Sequence, residues 1–126
     1  MSLRSPIGRV RGLGSAKEGT GHFWAQRVTA VALIPLTFMF VVVIFNFIGA
    51  DHARAVALMG NPFVALVFLL FIIASFYHSQ LGLQVVIEDY IHHEGIKTLS
   101  LLAVSLGTFA LGIASIFAVL KLSFGG

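Results

Sequence analysis

Cysteine is absent from this sequence, so disulfides, thiolate-bound metals and iron–sulfur clusters held by the chain's own residues are all excluded. Charge is scarce too: 10% of residues are charged, against about 25% in soluble domains. Together with a mean hydropathy of +0.98, that scarcity excludes an ordinary soluble fold. Internal repeats, low-complexity tracts and nucleotide-binding motifs are also missing. Any chemistry needing a large soluble site must therefore sit on a partner.

What is present is apolar: 58% of the 126 residues are hydrophobic. Three stretches carry no charge, namely Val28 to Asn46 (extendable to Ala50), Phe63 to Ile87, and Thr98 to Leu120. Each is long enough to cross a hydrocarbon core of about 30 Å as a helix rising 1.5 Å per residue. The expected fold is an all-α membrane protein with three transmembrane helices, spanning about residues 26–49, 63–90 and 98–121. Residues 1–22 form a basic N-terminal segment and residues 23–126 the three-helix anchor.

The few charges are unevenly placed. Arg4, Arg9, Arg11, Lys17, Arg27 and Lys97 fall on one side of the expected spans, with Arg54 and Lys121 on the other. The positive-inside rule then predicts a cytoplasmic N-terminus and an outward C-terminus, and it explains the basic segment without a nucleic-acid partner. A mitochondrial presequence is not expected, because Gly8, Gly12 and Gly14 oppose the amphipathic helix it needs. A secretory signal fits no better, since the first apolar run starts too far in and is too long.

Pro35 should bend the first span, and Pro62 suits the first turn of the second. On the third span Ala103, Gly107, Ala110, Ala114 and Ala118 recur at spacings of three and four, a face where another helix can approach closely.

An ionisable residue deep in a span is costly in lipid and is a functional candidate, and His78 is the one that qualifies. Ala74, Ser75 and Gly82 share its helical face and leave a trough beside the imidazole, which a flat macrocycle ligated by His78 would require. The same residues also fit a structural histidine hydrogen-bonded across helices, and both readings stand at this point.

Asp89 lies about three helical turns after His78 on nearly the same face, with Tyr90 rotated by about a third of a turn. A phenol beside a carboxylate at the membrane edge could hydrogen-bond a quinone and relay protons, or it could be an interfacial anchor beside a solvated loop. His92 and His93 are adjacent, point apart on a helix or strand, and make a poor metal pair. His22, Trp24 and Arg27 open the first span; Trp24 reads as an interfacial anchor, while Arg27 reaches lipid phosphates or an anionic cofactor group.

The run from His78 through Gly82 to Asp89 and Tyr90 resembles the H-x3-G-x6-D-Y signature of the hydrophobic membrane-anchor D subunit of succinate dehydrogenase. The segment from Gly21 through His22, Trp24, Arg27 and Thr29 to Ala30 is similar to that family's entry into its first span, and the wording is closest to alphaproteobacterial members.

The resemblance implies one half of a heterodimeric helical anchor in succinate:ubiquinone oxidoreductase, the respiratory complex II shared by the tricarboxylic acid cycle and electron transport. It implies that His78 is an axial ligand of a heme b shared with a second cytochrome b membrane subunit. It further implies that Tyr90, with Asp89 beside it, binds ubiquinone, and that Arg27 meets a heme propionate. Partners would be the flavoprotein, iron–sulfur and second membrane subunits in the bacterial inner membrane, with the C-terminus periplasmic. This chain would not itself oxidise succinate.

Three other functions compete: an anchor of a fumarate reductase, a purely structural anchor without heme or quinone, and a small proton transporter using His78 and Asp89. The last lacks the string of ionisable groups that such pathways use.

Overall fold

A computed structural model describes residues 16–125, with side chains from Thr20 onward. Arg4, Arg9 and Arg11, the glycines at 8, 12 and 14, and the Lys17 side chain therefore lie outside the described residues, as does Gly126.

The described residues form four helices: α1 (Ala16–Phe45), α2 (His52–Met59), α3 (Pro62–Tyr90) and α4 (Glu94–Ser123). Three are long and apolar enough to cross a membrane, over Thr20–Phe45, Pro62–Tyr90 and Glu94–Ser123. Most large apolar side chains on them face outward, as suits lipid rather than water.

α3 is the central helix, with α1 on one flank and α4 on the other; α1 and α4 make no close backbone approach to each other. Both neighbours run antiparallel to it. Thr29 meets His78 and Phe40 meets Phe71 across the first pair, while Gln80 meets Ser105 and Gly112 meets Phe76 across the second.

The helix limits have local causes. α1 continues through Pro35 and ends at Phe45, short of the expected residue 49. There Asn46 and Phe47 shift to i→i−3 hydrogen bonds, the Asn46 amide donates to Val42 O at 3.0 Å, and Gly49 takes a positive φ of 75°. α3 starts as expected, with Pro62 in its first turn and the Asn61 side chain accepting from Phe63 N at 2.9 Å.

α2 was not expected, since the connection reads as short and polar. Asp51 caps it by accepting from Arg54 N at 2.9 Å, and Met59, only 3% exposed, plugs it onto α3 and α4. The small-residue face of α4 also departs from expectation within this chain. Ala103, Gly107, Ala110, Ala114 and Ala118 all face outward, while Gly112 and Val119 turn inward.

Val43, Met59, Val64, Val67 and Val119 form the core, at the end of the bundle that carries α2. Phe40 stacks on Phe71 with centroids 4.2 Å apart, and Phe40 and Phe47 meet Phe68 edge-on, so this end is filled by aromatic and branched side chains.

Candidate functional site

The opposite end of the bundle is polar. On α1, His22, Gln26 and Thr29 recur at spacings of four and three, so one face of the helix turns polar toward α3. Facing them on α3 are His78, Gly82 and Val85. Between the helices lies a cleft of about 480 Å³ lined by His22, Phe23, Gln26, Arg27, Ala30, His78 and Val85.

His78 is half-buried, and its Nδ1 lies 2.9 Å from the Thr29 hydroxyl. That hydroxyl carries a single hydrogen, which it directs to Ala25 O at 2.7 Å, with Gln26 O at 3.1 Å on the same side. With its hydrogen so directed, its oxygen is placed to accept from His78 Nδ1 in the Nδ1–H tautomer. A neutral imidazole protonated on Nδ1 has its lone pair on Nε2, which is the state of a metal-ligating histidine.

The cross-helix hydrogen bond of the structural reading is present at Nδ1, and in the Nδ1–H tautomer Nε2 keeps its lone pair.

Beyond His78 the cleft is under-satisfied. His22 Nε2 and Gln26 Oε1 are buried without hydrogen-bond partners, a state costing about 1–3 kcal/mol per group unless a ligand or partner meets them. The Arg27 guanidinium stands 5.0 Å above the Phe23 ring, held at the cleft mouth by a cation–π contact, and Phe23 meets Trp24 edge-on. The trough expected beside His78 is partly filled, because Gln26 Nε2 lies 4.0 Å from where a Cβ on Gly82 would stand.

An imidazole whose Nε2 has a lone pair in the Nδ1–H tautomer, a guanidinium in the same cleft, two unsatisfied polar atoms and a glycine one turn along from the imidazole suit an anionic macrocycle ligated at its metal. The residues present therefore fit a heme.

Asp89 and Tyr90 end α3, with Asp89 on the stripe of His78, Gly82 and Val85 and Tyr90 turned away from it. Neither lines the cleft. Tyr90 is 77% exposed, so a site built on it needs a second wall from another chain. His93 serves as the N-cap of α4, accepting from Ile96 N at 3.2 Å through Nδ1, while His92 and His52 are exposed. Among the described residues no cluster of His, Asp and Glu is suited to a metal ion bound by side chains alone.

Thr29 and Gln26 are the site residues that a search for ionisable groups missed. Their signal was present in the sequence: two polar side chains, three residues apart, on a helix entering a membrane opposite an intramembrane histidine.

These features define a three-helix membrane anchor with a polar cleft at one end. The family model for the succinate dehydrogenase/fumarate reductase transmembrane subunit matches residues 1–114, and the chain belongs to that family. It is 36% identical to the succinate dehydrogenase hydrophobic membrane anchor subunit of Paracoccus denitrificans, over 99% of this chain and 96% of that one. It is 32% identical to the subunit of the same name from Rickettsia bellii, over 93% and 94% of the two chains. A succinate dehydrogenase membrane anchor subunit from Reclinomonas americana is 28% identical over 68% of this chain and 73% of its own length. These relatives are named as anchors rather than as catalytic subunits, and no solved structure matches the chain.

Proposed function

We propose that this chain is the hydrophobic membrane anchor subunit of a succinate dehydrogenase, that His78 ligates a heme b shared with a second membrane subunit, and that Tyr90 and Asp89 form one wall of the ubiquinone-reduction site. The observation that carries the heme assignment is the Thr29–His78 hydrogen bond, which leaves Nε2 of an intramembrane histidine as its free lone pair beside a cleft. Relatives named for succinate dehydrogenase favour the succinate direction over fumarate reduction.

The residues divide the work by position. His78 would ligate a heme iron, and Arg27, with His22 next to it in the cleft, would meet a propionate. A heme bound there would supply one-electron storage between the iron–sulfur carrier and the quinone. Tyr90 donates its phenolic hydrogen to a quinone carbonyl oxygen, and Asp89 passes protons in from the aqueous side. Succinate oxidation and single-electron transfer belong to the flavoprotein and iron–sulfur subunits, for which this chain has neither cysteine nor nucleotide motif.

Orientation follows from charge: the Tyr90 end faces the cytoplasm across the bacterial inner membrane, and the C-terminus faces the periplasm. The absence of native cysteine allows a direct check, with His92→Cys labelled by a membrane-impermeant maleimide from the cytoplasmic face and Arg54→Cys from the periplasmic face. The reverse pattern overturns the orientation. For the heme, extracted heme per flavin in the purified complex should fall to background in His78→Ala. Unchanged heme content would contradict the assignment.

A further inference from the structure

We infer that Thr29 is a positioning residue for His78: its hydroxyl fixes the imidazole in the Nδ1–H form and sets how strongly Nε2 donates electrons to a heme iron. The inference rests on the heme-anchor reading above and adds to it a residue on a different helix.

The geometry leaves the hydroxyl little choice. Thr29 is 9% exposed, so its oxygen is screened from water that could substitute for its partners. The bond to Ala25 O is the shortest it makes, and Gln26 O backs it from the same side. Both acceptors lie on the α1 backbone, so the lone pairs of the oxygen are left for His78 on α3. Rotating the hydrogen toward Nδ1 would give up both backbone contacts and place the imidazole proton on Nε2, where it blocks ligation.

Accepting a hydrogen bond from Nδ1–H also makes the ring a more basic ligand, and a more basic ligand stabilises ferric over ferrous iron. Thr29 therefore acts on the iron through His78, without touching it. The same bond ties α1 to α3 at the depth of the cleft, so ligand orientation and helix pairing are set together.

The test uses the assembled complex as wild type, Thr29→Val, Thr29→Ser and His78→Ala. It reads the heme midpoint potential, the low-spin ferric EPR g values and the transfer of heme to an apoglobin acceptor. Thr29→Val keeps the shape and removes the acceptor. It should raise the potential, with the ferric-to-ferrous ratio at the wild-type midpoint falling about tenfold, equal to about 59 mV for one electron. Heme retention should weaken about tenfold or more. Thr29→Ser keeps the hydroxyl and should hold the wild-type potential and g values.

Wild-type values in Thr29→Val, or a shift in Thr29→Ser as large as in Thr29→Val, would overturn the inference. Should Thr29→Val not assemble, Thr29→Ala removes the same oxygen without a branched replacement and is read in the same way. Failure of both to assemble would make Thr29 a residue of helix pairing alone and would also overturn the inference. A wild-type complex without heme, or a His78→Ala complex that retains it, defeats the underlying anchor reading instead. Loss of heme in His78→Ala with unmoved values in Thr29→Val defeats only the role of Thr29.

Discussion

The two ends of the bundle are built on opposite terms. Around Met59 and Val67, which is 1% exposed, valines, phenylalanines and the short helix α2 fill the space between α1, α3 and α4. Around His78, α1 and α3 leave a cleft, and two buried polar atoms go without partners. Lipid tails are as apolar as any side chain, so helices in a membrane are held by close packing and hydrogen bonds rather than by exclusion of water. One end of this chain uses packing for cohesion. The other joins α1 to α3 through Thr29 and His78 and leaves a cleft in which two buried polar atoms lack partners.

Substitutions at each end should therefore separate cleanly. The largest effect is expected at Tyr90. Tyr90→Phe removes the phenolic donor and should lower quinone reductase activity about a hundredfold, leaving the heme spectrum and thermal stability of the complex unchanged. Loss of heme in that variant would break the division, because the quinone wall and the cleft would then be one structural unit.

A smaller effect is expected at the packed end. Met59→Ala should destabilise the complex by about 2 kcal/mol in detergent unfolding, at the low end for buried methionine because packing rather than transfer from water is lost. Its heme content should match wild type, and a heme defect would show that the packed end supports the cleft directly. The smallest effect is His93→Ala. Removing the cap of α4 should cost about 1 kcal/mol in the same assay, with quinone reduction retained.

The three spans were legible in the sequence because run length against bilayer thickness is a strong constraint, and His78 was legible because an ionisable group in lipid needs a reason. α2 was not. Its eight residues are too short and too mixed for a periodicity argument, and only the Asp51 cap and the apolar Val56 and Met59 mark it.

The small-residue face of α4 was legible as a surface for close approach, yet spacing cannot say whose backbone approaches, and among the described residues none does. Thr29, part of the entry segment that carries the resemblance, and Gln26 were given no role because neutral polar residues in membrane helices commonly bond their own backbone. Thr29 does so too, and only the fold reveals that its remaining lone pair meets His78.

The central claim, that the polar end holds a heme through His78, is tested most directly by the reduced-minus-oxidised visible spectrum of the purified complex with succinate as reductant. The account predicts a b-type heme band in the wild type that is lost or shifted in His78→Ala. A wild-type complex without that band, or a band that His78→Ala leaves unmoved, would contradict it.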